Sequence, residues 1–430
     1  MIDYKDFLKN SDKYFKAYKD RGGDILVKTA KAAHQKISKL AKSSQQHDLE
    51  TLQAEINKAN KLIPSLDAKE KAKKISELKK LSDKISKLKA SARGQEAEIF
   101  SQVKNLPNLF LADVPVGSNA GTNKILKEVG KRPDLEKPKD YLSLGIDLGI
   151  IDVQRASKVS GSRFGYLKAG AVLLEYALVQ YTFSRLLTDD FVPVAPPVII
   201  NKEFMEAMGY LAQGSEEEVY YLQKDNQYLV GTAEQAVGPY FANEILSESD
   251  LPKKFIAFSS CFRREAGSYG KDTKGIFRVH QFDKLEMFVF CRPEESEAQH
   301  QKLLNLQEAL VSSLGIPYRV VQLCTGDLGV PSAKTYDIEC WLPGQNQGKG
   351  EYRETHSTSN TTDYQSRALN TRFKAGNGKN EFVHLLNGTA FAIGRILIAI
   401  IENYQQTDGS VLVPKVLQPY MHGIEVIAKK

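Results

Sequence analysis

The sequence predicts an α+β chain: a mainly antiparallel sheet with helices packed on it, preceded by a long antiparallel helical hairpin. Three observations lead there. The first hundred residues hold two helical stretches almost free of breakers. Beyond residue 140, short strands succeed one another as hairpin-like neighbours rather than as βαβ repeats. Neither GxxxxGK[ST] nor a helix-opening GxGxxG occurs, which closes the P-loop and Rossmann routes to nucleotides.

The hairpin occupies residues 1–105. Helical patterning runs from about Asp24 to Leu62 and again from about Asp67 to Ile99. In the second stretch Ile75, Leu78, Leu81, Ile85 and Leu88 recur at spacings of three and four, a narrow apolar stripe. The first has a sparser stripe through Ile37, Leu40, Leu49, Leu52, Ile56 and Leu62. Pro64 and Ser65 interrupt the pattern and predict the turn. At about 1.5 Å per residue each helix is roughly 45–60 Å long. Charge is concentrated here: residues 1–100 hold 23 Lys+Arg against 14 Asp+Glu, while the whole chain has a surplus of only 7. Lys71, Lys73, Lys74, Lys79, Lys80, Lys84, Lys87 and Lys89 crowd one helix. A solvated coiled coil accounts for such a run, and so does an arm that neutralises a phosphate backbone without reading sequence.

Residues 106–140, with Pro, Gly and Asn scattered along them, read as a linker, and residues 141–430 as a second domain. A helix is predicted through Lys168–Thr188, before the proline-marked FVPVAPP at 191–197. Strands follow at Val219–Leu222, Gln227–Thr232, Lys254–Glu265, Phe277–Phe290, Tyr318–Leu323 and Tyr336–Trp341. A helix is predicted near Glu294–Leu314 and another after Gly388.

The stretch Cys261–Met287, CFRREAGSYGKDTKGIFRVHQFDKLEM, reads as two strands joined by a loop punctuated by Gly267, Gly270 and Gly275. Residues two apart share a face of a strand, so Arg263 and Glu265 point together, as do Phe282, Lys284 and Glu286. A sheet face bearing those charges and a ring is a poor match for lipid or an apolar core. It suits a ligand with phosphate, an amine and a flat base. In GTAFAIGRILIAIIENY, residues 388–404, Arg395 is the only charge between Gly388 and Ile401. An unpaired guanidinium in an apolar helix is prohibitively costly, so Arg395 meets either a neighbouring carboxylate or a phosphate.

Apolar content of 42% with 26% charged residues is that of a soluble globular protein. Cys261, Cys291, Cys324 and Cys340 form no CxxC pair, which argues against zinc and against a disulfide framework. The acidic MIDYKDFLKN start does not resemble a signal peptide, and the apolar run Ile396–Ile401 is too short to span a bilayer. A cytoplasmic protein with no membrane association is expected.

These segments together resemble the three signature motifs of class II aminoacyl-tRNA synthetases, and the whole chain is similar to the seryl-tRNA synthetase family. FVPVAPP resembles motif 1, CFRREAGSYGKDTKGIFRVHQFDKLEM motif 2, and LNGTAFAIGR at 386–395 motif 3. The basic hairpin, GTAE at 231–234 and the terminal DGSVLVPKVLQPYM fit the same family. The resemblance implies a class II catalytic domain over 141–430. It implies activation of L-serine with ATP to seryl-adenylate, then transfer to the 3′-terminal ribose of tRNA(Ser), with tRNA(Sec) as an alternative acceptor.

It also implies roles. Arg263, Glu265 and Arg395 carry the catalysis, with Arg263 on the α-phosphate and serine carboxylate and Arg395 on the γ-phosphate. Thr232, Ala233, Glu234, Arg263, Glu286, Asn387 and Thr389 hold serine. Arg264, Glu265, Val279, Phe282, Glu354, Thr355, His356 and Ser357 join the two arginines around ATP, and Glu354 and Ser357 hold Mg²⁺. The eight lysines of the arm grip tRNA, and motif 1 makes a homodimer. GTAE is followed here by Gln-Ala-Val rather than Val-Pro-Leu, His356 replaces a common Ser, and Thr389 replaces another. None of these changes removes a charged group. A catalytically dead paralogue would have lost such groups first, and a ligase loading a carrier protein would lack the arm.

Overall fold

We describe the protein from a computed structural model, which covers residues 1–42, 51–52, 55–60, 68–212, 216–267, 272 and 274–429. The predicted turn at Pro64 and Ser65, and the stripe positions Leu49 and Leu62, lie outside the described residues, as does Gly270 of the motif 2 loop. So do the side chains of Lys73, Ile75 and Lys89.

The chain divides into two compact units, Ile2–Leu106 and Pro107–Lys430, the latter joined by Met1. In the first unit, helix α1 (Tyr4–Lys9) is capped by Asp3, whose carboxylate accepts from the backbone of Lys5 and Asp6. Helix α2 (Ser11–Lys42) is broken at Gly23, where φ 64° and ψ −156° are open to glycine at no steric cost. The patterning predicts a helix only from about Asp24, and the structure carries it back across Gly22 and Gly23 to Ser11. The preceding segment is helical because it buries Phe7, Tyr14 and Tyr18 together, and Phe7 meets Tyr14 and His34 edge-on at 5.1 and 5.3 Å. Helix α3 (Ala68–Val103) has a buried position at Ile85, while Ala30, Ala33 and Ile37 of α2 are buried in the same unit.

The second unit is built on an eight-stranded sheet. Its strands are β1 (Lys124–Val129), β2 (Val192–Val194), β3 (Lys253–Phe262), β4 (Gln281–Cys291), β5 (Tyr318–Gln322), β6 (Lys334–Leu342), β7 (Glu351–Asn360) and β8 (His384–Ala392). They lie in the order β1-β5-β6-β7-β8-β4-β3-β2, every pair antiparallel except β2 with β3. Segment 106–140 is therefore more than the linker expected, since β1 within it pairs with β5. Strands β7 and β8 were not predicted. The helix expected after Gly388 begins only at Ile393, because Gly388–Ala392 completes β8.

One face of the sheet carries Leu285, Met287, Val289, Ile338, Cys340 and Phe391 into the main core. Helices α4 (Gly170–Leu186), α5 (Ser296–Ser313) and α6 (Ile393–Asn403) supply that core's other side through Leu174, Leu310 and Leu397, all fully buried. Each such side chain contributes about 1.5–3 kcal/mol relative to exposure. The opposite face is divided: Phe255, Ala257, Phe288 and Phe290 enter a second core with Phe373 and Val383, and the rest of it carries the polar residues described next. Among the described residues no helix is long and apolar enough to cross a membrane.

Candidate active site

Register places the polar face. Phe282, Lys284 and Glu286 alternate along β4 and pair with Cys261, Ser259 and Ala257 of β3. Arg263 lies one pair beyond the strand's end, its N–H donating to the His280 carbonyl at 3.0 Å, so it keeps the same face. Its guanidinium sits 5.3 Å from the Phe282 ring centroid, and its Nε donates to the Gly231 carbonyl at 3.1 Å. Glu265 is off the strand, in left-handed backbone at φ 50°, and reaches the site through Arg278 at 3.3 Å rather than by alternation.

Two bulges complete the face. On β8 the register with β4 slips between Leu285 and Glu286, so Glu286 pairs with Thr389 while Lys284 pairs with Ala392. The extra residue turns Phe391 into the core and leaves Asn387 and Thr389 facing the site. On β7 the register with β6 slips between Ile338 and Glu339, so His356 pairs with Ile338 but Glu354 with Glu339. Glu354 and Ser357, three apart, thereby share a face that regular alternation denies them. Buried Gln307 of α5 ties both bulged strands from behind, donating to the carbonyls of Ser357 and Thr389 at 2.9 and 2.8 Å.

The result is a cavity of about 440 Å³. Its lining includes Thr232, Glu234, Arg263, Glu265, Val279, Phe282, Glu286, Glu354, Thr355, Ser357, Asn387, Thr389 and Arg395. Three residues expected at the site are not among its lining. Ala233 is fully buried beside it, and the Arg264 guanidinium lies 5.8 Å from the Tyr220 ring centroid. His356 is 1% exposed on the core side of β7, its ring 5.6 Å from that of Phe391. Burial pushes its pKa down to about 3, so it stays a neutral packing residue. The bulge before it cannot be read from ETHS.

At one end of the cavity the Lys284 ammonium lies 2.6 Å from Glu286 Oε2, to which Thr389 Oγ1 also donates at 3.1 Å. Glu234, 5% exposed, has its pKa pushed up to about 8, first by burial and then by the charge of Glu286. Buried Thr232 Oγ1 has no hydrogen-bond partner among the described residues. At the other end Arg395 pairs with the Glu354 carboxylate at 3.1 Å and lies 5.1 Å from the Phe277 ring centroid. Arg395 stands in the first turn of α6 with its side chain 21% exposed, not sealed within an apolar helix. Of the two fates predicted for it, the carboxylate is the one seen here. Asp272 pairs with Arg353 at 2.6 Å and approaches Arg278, a lining residue, at 3.5 Å. Lys284 and Arg278 were not assigned roles from sequence, although alternation already placed Lys284 on this face.

In the arm, Lys71, Lys79, Lys80, Lys84 and Lys87 are exposed, and Lys74 pairs with Glu77 at 2.9 Å.

Comparison with known proteins bears on both units. A family model described as the seryl-tRNA synthetase N-terminal domain matches residues 1–110, and that of the class II tRNA synthetase core domain (G, H, P, S and T) matches residues 219–404. A serine–tRNA ligase of Dictyoglomus turgidum is 44% identical over 388 residues, 90% of each chain. One from Treponema denticola is 41% identical over 422 residues, 98% of each chain. Among solved structures, seryl-tRNA synthetase from Pyrococcus horikoshii complexed with ATP aligns over all of both chains with TM-score 0.85 and 37% identity. The cytoplasmic serine–tRNA ligase of Naegleria fowleri in complex with AMP aligns over 98% of this chain and 96% of its own, with TM-score 0.79 and 32% identity.

Proposed function

The chain belongs to the seryl-tRNA synthetase family of class II aminoacyl-tRNA synthetases, and on that premise we propose how its own residues join L-serine to tRNA(Ser). The observation that carries the reading is the division of one cavity into two chemically distinct ends. The deep end holds Glu234, Glu286 and the unpartnered hydroxyl of Thr232, which suit the ammonium and hydroxyl of serine. Asn387 and Thr389 close that pocket. The open end presents Arg263 over Phe282 with Glu265 and Val279 nearby, which suits adenine and the α-phosphate. Arg395 and Glu354 lie further on, where the β- and γ-phosphates of ATP extend.

With both substrates seated, the serine carboxylate attacks the α-phosphorus and pyrophosphate leaves. A carboxylate needs no general base, so the protein supplies position and charge. Arg263, fixed by its bond to Gly231, neutralises the carboxylate and the α-phosphate together. The ribose hydroxyl at the tRNA 3′ end then attacks the acyl carbon and AMP leaves. Glu354 and Ser357 share a face, and beside them one carboxylate oxygen of Asp337 has no hydrogen-bond partner among the described residues. Such oxygen donors fit a hard cation, and Mg²⁺ held there with triphosphate would supply charge neutralisation.

The arm lysines serve as the tRNA grip. A homodimer is supported by Tyr166, Tyr176, Leu187, Val192 and Ile199, apolar or aromatic side chains between 44% and 59% exposed within residues 163–200. The reaction belongs in the cytoplasm, away from membranes. Pyrophosphate exchange into ATP with a panel of amino acids tests the first step. Serine alone should support it, and exchange driven by another amino acid but not by serine overturns the reading.

A further inference from the structure

Tyr141 lies outside every signature motif and outside the cavity, yet it touches the loop that feeds the nucleotide end. It is 5% exposed at the start of a short helix, Tyr141–Asp147. Its hydroxyl accepts from the backbone N–H of Ile276 at 3.0 Å and reaches the Lys274 carbonyl at 3.5 Å. Burial raises its pKa to about 12, so the hydroxyl keeps its proton at any working pH. Between those two loop residues stands Gly275 at φ 83°, where an added Cβ would collide with the Tyr141 ring and hydroxyl. The next four residues, Ile276 to Val279, all line the cavity. Phe277 among them packs against both Arg353 and Arg395, 4.1 and 5.1 Å from its ring centroid.

Tyr141 is itself held. Its backbone N–H donates to Glu402 Oε1 at 3.0 Å, and Glu402 Oε2 accepts from the N–H of Gly344 at 2.8 Å. Glu402 is fully buried near the end of α6, whose first turn carries Arg395. Helix α6 thus addresses the nucleotide end twice, directly through Arg395 and indirectly through Glu402 and Tyr141. We propose that Tyr141 is a positioning residue for ATP, bolting the returning arm of the motif 2 loop so that Ile276–Val279 and the Phe277 shelf keep their place under the nucleotide. This rests on the reading that the cavity takes ATP.

The test is Tyr141→Phe in the full chain, with KM for ATP and for serine measured separately in the exchange assay and ATP affinity measured by calorimetry without serine. Phenylalanine keeps the ring but leaves the buried Ile276 N–H without its acceptor, a loss that corresponds to a weakening of roughly tenfold. KM and Kd for ATP should rise by about that factor, while KM for serine at saturating ATP stays within about twofold. Glu402→Gln, which weakens the hold on Tyr141 one step away, should shift ATP affinity in the same direction by roughly threefold. It provides the same readout should the first variant fold poorly. Unchanged ATP constants in both variants, or ATP and serine constants rising together, overturn the inference. Failure of the wild-type chain to exchange with serine would instead overturn the reading of the cavity.

Discussion

Glu234 and Glu286 face one small space with a single ammonium, that of Lys284, placed on Glu286. Two carboxylates cannot both ionise there without cost, and Glu234 is the one that keeps its proton, its pKa pushed up to about 8. An incoming serine ammonium favours the ionised form, so binding expels that proton at neutral pH. Apparent serine affinity should therefore rise with pH between 6 and 8, by up to about tenfold per unit, and level off above. The KM for serine across that range measures this, and Glu234→Gln should flatten the slope. A serine KM independent of pH in the wild-type chain would contradict the assignment. Arg395→Ala makes the second prediction at this scale. Its side chain is partly exposed in the first turn of α6, so its loss should leave the melting temperature nearly unchanged. Serine-dependent exchange should fall by about 10²–10³, the range seen on removing one preorganised donor. Exchange within a few-fold of wild type would show that Arg395 serves only its ion pair with Glu354.

At the scale of elements, what could be read in advance and what could not divide along a physical line. Strict alternation in FDKLE put Phe282, Lys284 and Glu286 on one face, because β4 is regular there against β3. The sharing of a face by Glu354 and Ser357, and the turning of Phe391 away from Thr389 and Asn387, depend on bulges that a sequence does not display, because one residue's slip reverses every later side chain. His356, which the resemblance placed around ATP, is turned to the core by the same slip. Strand β1 was missed because KILKEV is exposed along most of its length and has no alternating burial to betray it. The apolar run after Gly388 was read as wholly helical because buried strand and buried helix look alike over five residues. In the arm the stripe was legible where the described residues cover it, at buried Ile37, Leu52 and Ile85, and the lysines yield a prediction. Deleting residues 27–98 and joining the ends with a short linker should spare exchange and cripple transfer to tRNA, since every residue lining the cavity lies beyond residue 208. Charging by the deletion variant as efficient as by the intact chain would reduce the arm to a structural coiled coil.

For the whole molecule, charge divides between the two units: net positive charge is confined to the arm region, and the carboxylates and guanidinium groups of the cavity to the second unit. Binding to tRNA should therefore weaken steeply with salt while ATP and serine binding change little. The exposed apolar residues between 163 and 200 predict a homodimer, which sedimentation at micromolar concentration would reveal and a monomer under active conditions would contradict. The most direct test of the central claim is charging of purified tRNA(Ser) by the intact chain with ATP and radiolabelled serine or threonine. Serine should charge to a plateau near one per tRNA and threonine only marginally. No charging with serine, or charging with threonine at a comparable rate, would contradict the account.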